Sequence, residues 1–183
     1  MNNKITDNRF KGPKINIYRI ILIVLLICTF SVIFGFSSQD SKKSSSLSRR
    51  VTELITNNIK WIQEKPKQEK EQIIKQIHIK IRKIAHFSIY TILGIILMAI
   101  FSTAKAKALN RLSASLIIGI ILAISDEIHQ CFVPGRGPLF TDVVIDSLGV
   151  LYGILVVMLV QKIYVRIVAK RKRKLRITKE NVN

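Results

Sequence analysis

Apolar residues gather in four runs: INIYRIILIVLLICTFSVIFGF, ending at Phe36; IAHFSIYTILGIILMAIF, Ile84 to Phe101; LSASLIIGIILAI, Leu112 to Ile124; and VVIDSLGVLYGILVVMLV, Val143 to Val160. The first is about long enough to cross a bilayer as a helix. The third is short unless its helix continues through Ser125 to Gln130, which leaves those polar side chains at its far end. The pattern predicts an all-α integral membrane bundle of four transmembrane helices, at about 17–36, 84–101, 112–130 and 142–160. Basic residues precede the first run as in a signal peptide, but no small-residue cleavage site of the A-x-A kind follows, so an uncleaved anchor is expected.

Between the first two runs, residues 37–83 form a long polar segment with its own periodicity. Leu47, Val51, Leu54, Ile55, Ile59 and Ile62 fall at helical spacing, and after Pro66 so do Ile73, Ile74, Ile77, Ile81 and Ile84. The alternation of Ile77, Ile79 and Ile81 also fits a short strand. Two basic amphipathic helices, lying on the membrane surface or covering the outer end of the bundle, are the predicted content of this loop. Residues Ile177 to Asn183 read as a frayed tail.

Charge then orients the chain. It is 49% hydrophobic yet carries a formal charge of +19, so apolar and basic character are segregated along its 183 residues. No nucleic-acid-binding module accompanies the basic excess, and no nucleic-acid partner is predicted. Lys4, Arg9, Lys11, Lys14 and Arg19, the link with Lys105, Lys107 and Arg111, and the tail KRKRKLR share one side if the chain crosses four times. The positive-inside rule makes that side, and both termini, cytoplasmic. The opposing observation is the external loop 37–83, itself basic despite five acidic residues. A basic N-terminus (1–16), a membrane domain (17–160) and a basic tail (161–183) follow, the tail meeting anionic lipid at about 1 kcal/mol per basic residue near the surface. Cys28 and Cys131 fall at different depths, roughly 15 Å apart, so two free thiols are expected.

This topology gathers RKIAH, SDEIHQ and TDVVID at one external level. Arg82, His86 and Tyr90 are four apart; Glu127 shares a helix face with Gln130, and Asp126 with His129 and Gln130. Asp142, Asp146, Gly149 and Gly153 form one stripe, whose G-x-x-x-G lets a second helix approach and turns the aspartates inward. An ionisable group in hydrocarbon costs about 2.5 to 3.5 kcal/mol on insertion scales and marks function by default; the structural alternative is that ion pairs with Arg82, Lys83, His86, His129 or Arg136 pin the helices. His86, Glu127, Asp142 and Asp146 are the candidate catalytic groups, and Arg82, Tyr90, Asp126, His129, Gln130 and Arg136 the candidate ligand contacts. Tyr90 and Tyr152 are more often packing residues or interfacial anchors, and Arg136, in the turn VPGRGP, reads as a solvated charge unless it reaches an anion. Paired carboxylates with a histidine suit general acid–base work. Oxygen and imidazole donors also suit a divalent metal, but the spacing matches no metal motif, and no cofactor is predicted.

RKIAHFSIYTILG, SDEIHQCFVPGRGPLFTDVVIDSLG and FSSQDSKKSSSLS resemble the VanZ-like family of small bacterial membrane proteins, from about residue 20 to 160. The D-E-x-x-Q and D-x-x-x-D elements flanking a Gly/Pro turn carry the resemblance. The family's namesake is associated with teicoplanin resistance, so the resemblance implies the bacterial cytoplasmic membrane and a link to the cell envelope, without an established reaction. The positions matching its polar pattern are His86, Asp126, Glu127, Gln130, Asp142 and Asp146, with Arg82 and Arg136 nearby, and the basic tail departs from it. An outer-face site that binds or alters a lipid headgroup, wall precursor or glycopeptide is the leading expectation. A non-catalytic bundle locked by its polar cluster is the alternative, and ion or proton movement ranks last, because the inner halves of the runs are dry.

Overall fold

The computed structural model describes residues 17–38, 50–134, 137 and 139–180, and no strand occurs among them. Its helices are α1 (Ile17–Ser37), α2 (50–57), α3 (Lys60–Gln63), α4 (Lys67–Ser102), α5 (Ala108–Gln130) and α6 (Phe140–Glu180). Four of them, α1, α4, α5 and α6, are long and apolar enough to cross a membrane. Only 17% to 33% of their most apolar windows is buried within the protein. Ile17, Ile27, Ile117, Ile121 and Leu159 are among the many apolar side chains left on the outside. That much contiguous apolar surface is untenable in water and ordinary in lipid, and the chain is a multi-pass membrane protein.

Within the loop 37–83, the described residues from 50 onward are mostly helical, as their spacing predicts, with one difference. Pro66 stands at the N-cap of α4, and from Lys67 the amphipathic segment runs without a break into the second span, giving one helix of 36 residues. No proline follows within it, and its one glycine, Gly94, lies deep in the span, so no breaker separates the two halves. A distinct surface helix after Pro66 is therefore absent, and the strand alternative at Ile77–Ile81 is excluded by the same continuity. Ile62 of α3 is fully buried, as are Thr52 and Thr56 of α2, while Val51, Leu54 and Ile55 point away from the protein. The Gln63 amide donates to the Thr56 carbonyl at 2.9 Å, closing the short turn between them. Leu47 lies outside the described residues.

At the other terminus, α6 continues for 41 residues, to Glu180. Lysine, arginine and leucine are good helix formers, so the KRKRKLR block prolongs the helix through Ile177, where a frayed tail was expected. Residues 181–183 lie outside the description. Cys28 and Cys131 are free and exposed, as expected.

Helices α4 and α6 run parallel and form the main contact of the bundle, with α5 and α1 antiparallel to them. Glycines bring the pair to backbone contact. A Cβ on Gly149 would lie 2.6 Å from the Phe87 carbonyl oxygen, one on Gly153 would overlap the Thr91 oxygen, and one on Gly94 would overlap the Val150 oxygen. Gly119 of α5 opens the same space for the Val150 side chain. The core around this seam is Tyr90, Leu93, Leu97, Met98, Ala123, Val150 and Ile154, with Ile33 of α1. Lipid tails are as apolar as leucine, so close van der Waals packing of this kind, rather than water expulsion, holds membrane helices together. Far from the termini-distal end, the Gln161 amide donates to Ser102 Oγ at 2.8 Å, so the parallel pair stays in register across the span.

Candidate functional site

The in-register pairing of α4 with α6 places residues four apart on one helix opposite residues four apart on the other. Arg82 Nη2 lies 3.5 Å from Asp142 Oδ2, and Lys83 Nζ lies 3.4 Å from Asp142 Oδ1. One turn further in, His86 Nδ1 lies 3.6 Å from Asp146 Oδ2. The next turn brings Tyr90, fully buried, against the glycine seam. Asp142 sits in the first turn of α6, where the exposed N–H groups of a helix also favour an acid. Arg82, Lys83, His86, Asp142, Ile145 and Asp146 line a narrow crevice between the helices, with no space for a water molecule. Its mouth is basic and its floor acidic.

Helix α5 closes the floor. The Asp126 carboxylate is fully buried and its Oδ2 accepts from Ser37 Oγ at 2.8 Å and from Gln130 Nε2 at 3.2 Å. Gln130 Nε2 also approaches Ser37 Oγ, at 3.3 Å. Glu127 faces the α5–α6 connection instead, its Oε2 accepting the Leu139 backbone N–H at 3.0 Å. His129 turns to α1, its Nε2 2.8 Å from Ser38 Oγ and its ring stacked on Phe34 at 4.4 Å between centroids. Arg136 lies outside the described residues.

All the described candidates thus share one end of the bundle, but they divide by neighbourhood. His86, Asp126 and Asp146 converge, each offering one atom, with all three atoms within 4.8 Å of one another. Asp142 is engaged by the cations at the mouth and Glu127 by the connection, while His129 belongs to the α1 contact. Among the described residues, the converging set is the one with the spacing to hold a metal. Ser37 and Ser38 are the contributors that spacing missed. They stand in the FSSQDS stretch quoted for the resemblance, yet nothing local in the sequence distinguishes a ligand-orienting hydroxyl from a loop serine.

Several buried polar atoms here have no hydrogen-bond partner: His86 Nδ1, the Tyr90 hydroxyl, Asp126 Oδ1, Glu127 Oε1 and both Asp146 oxygens. Buried polar groups are nearly always satisfied in folded proteins, and these unsatisfied atoms are concentrated at one end of the bundle. The sequence profile of VanZ/LLP1 matches residues 22–161, which takes in α1 from Leu22 and every one of these side chains. The chain belongs to the VanZ/LLP1 family. No curated protein and no solved structure matches it. The polar residues of the VanZ-like pattern, separated by up to 60 positions between His86 and Asp146, fall within this single end of the VanZ/LLP1 domain.

Proposed function

We propose that this VanZ/LLP1 protein uses its polar end, at the outer face of a bacterial cytoplasmic membrane, to bind an anionic cell-envelope molecule through its phosphate-bearing headgroup. The observation that carries the reading is the pair Arg82 and Lys83 at the mouth of a crevice above buried carboxylates and an imidazole, several of whose atoms accept or donate no hydrogen bond. Arginine and lysine both bind phosphate, one bidentately and one as a point charge, and here they hold only long contacts, of 3.5 and 3.4 Å, to one carboxylate. The crevice is too narrow for a headgroup, so the anion docks across the mouth. The positive-inside argument supports the outer location, because the site lies at the end of the bundle opposite Ile17 and the C-terminal half of α6. Altered handling of wall precursors is then the route by which such a protein changes glycopeptide susceptibility.

Native mass spectrometry of the detergent-solubilised protein with phosphatidylglycerol, phosphatidylcholine and a lipid-linked wall precursor tests the reading. Retention of the anionic lipids and its loss in the Arg82→Gln, Lys83→Gln double variant is expected; equal retention by that variant overturns it.

A second reading has its own support. The His86–Asp146 and Arg82/Lys83–Asp142 contacts all join α4 to α6, as a purely structural lock would. It requires that Asp146→Asn reduce the amount of folded protein as much as any phenotype.

A further inference from the structure

We infer that His86, Asp126 and Asp146 bind a divalent first-row metal ion, of the Zn2+ or Mn2+ class, beneath the basic mouth. The inference rests on the polar end being a ligand site, as proposed above, and names what fills its floor.

The donor set argues for it first. One imidazole and two carboxylates from three different helices bring their donor atoms within 4.8 Å of one another. Metal–ligand bonds of about 2.0–2.2 Å place the donors of a tetrahedral site roughly 3.4 Å apart, so closure onto an ion takes an inward movement of just under about one ångström per side chain. Nitrogen with hard oxygen donors, and no thiolate, suits zinc, manganese or ferrous iron rather than copper(I). Calcium and magnesium take oxygen ligands and are disfavoured by the imidazole.

The surroundings argue for it independently. Asp126 is fully buried and its two oxygens are treated differently: Oδ2 is fixed by Ser37 and Gln130, while Oδ1 has no partner. This is how a metal-ligating carboxylate is commonly held, one oxygen oriented by surrounding hydrogen bonds and the other presented to the ion. Asp146 is also fully buried, and neither of its oxygens has a hydrogen bond. Buried carboxylates left so are expensive in a membrane interior, and a doubly charged cation between them offsets that cost. Tyr90 adds an unpartnered hydroxyl, fully buried beside Asp126, for a water in an open coordination position. His86, whose side chain is 20% exposed, lines the same crevice as Arg82 and Lys83, on the side of the set nearest the surface. An ion there also complements the anionic group at the mouth, since metal and guanidinium can share one phosphate.

The test uses the full-length protein, purified in detergent, stripped with chelator and dialysed against Zn2+, Mn2+ or Mg2+ alone. Bound metal is measured by elemental analysis and folding by circular dichroism. About one Zn2+ or Mn2+ per chain, lost in Asp126→Asn and Asp146→Asn and retained in Asp142→Asn, is the expected result. Folded wild-type protein that takes up neither ion overturns the inference, whatever the variants do. Equal uptake by wild type and a folded Asp146→Asn, or equal loss in Asp142→Asn, also overturns it. Lipid retention that depends on Arg82 and Lys83 in a protein that binds no ion removes the metal and leaves the headgroup reading standing; stoichiometric metal without lipid retention does the reverse.

Discussion

The two halves of the α4–α6 contact are built from opposite materials. In the seam, Gly94, Gly149 and Gly153 let backbone meet backbone, and the surrounding Tyr90, Leu93, Val150 and Ile154 are fully buried. At the polar end the same two helices face each other through Arg82, Lys83, His86, Asp142 and Asp146 at 3.4 to 3.6 Å, with several atoms unsatisfied. The seam therefore sets the register, and the charged side chains inherit their positions from it. Ion pairs at such distances are weak organisers of a fold; van der Waals contact between backbones is a strong one.

That division can be broken at its strong half first. Gly153→Val drives a branched side chain into the Thr91 carbonyl and Ile95 amide, backbone atoms that cannot yield. A destabilisation of about 3 kcal/mol is expected, read as collapse of the protein level in the membrane fraction; near-normal accumulation would mean that the helices do not meet at this seam. Ser37→Ala comes next. It removes one of the donors to Asp126 Oδ2 and leaves Gln130 in place, for a cost of about 1 kcal/mol in thermal unfolding. Arg82→Gln is smaller still, about 0.5 kcal/mol, because the contact is long and the arginine is partly exposed. Last is Asp146→Asn, which keeps the shape, removes a buried charge and breaks no hydrogen bond. Unchanged abundance with loss of ligand or metal binding is expected, and a parallel fall in abundance would instead make the polar end a lock.

What the sequence discloses about this molecule follows the same division. The four spans are legible because length and hydropathy set them directly, and the α4 and α6 site residues because a four-residue step returns to one helix face whatever lies opposite. Arg82, His86, Tyr90 and Gly94 on one side, and Asp142, Asp146, Gly149 and Gly153 on the other, meet for that reason. Contacts made by position in space rather than by period are not legible. Ser37 reaches Asp126 across 89 residues of chain, and Glu127 is held by the backbone of Leu139, which has no sequence signature at all. Sharing a face gives the neighbouring helix but not the partner: Asp126, His129 and Gln130 all meet the end of α1, Asp126 and Gln130 at Ser37 and His129 at Ser38 and Phe34. The unbroken α4 was missed because an amphipathic pattern giving way to an apolar one looks like a boundary, whereas a helix stops only where its backbone is interrupted.

That unbroken rod has a mechanical meaning. At about 1.5 Å of rise per residue it is roughly 54 Å long, with α3 clasped to its first half and Arg82, Lys83 and His86 carried near its midpoint. Arg82, Lys83 and His86 are therefore fixed to one unbroken helix, while Asp142 and Asp146 ride on a separate shaft. Any tilt of one shaft against the other therefore alters the width of the crevice between them.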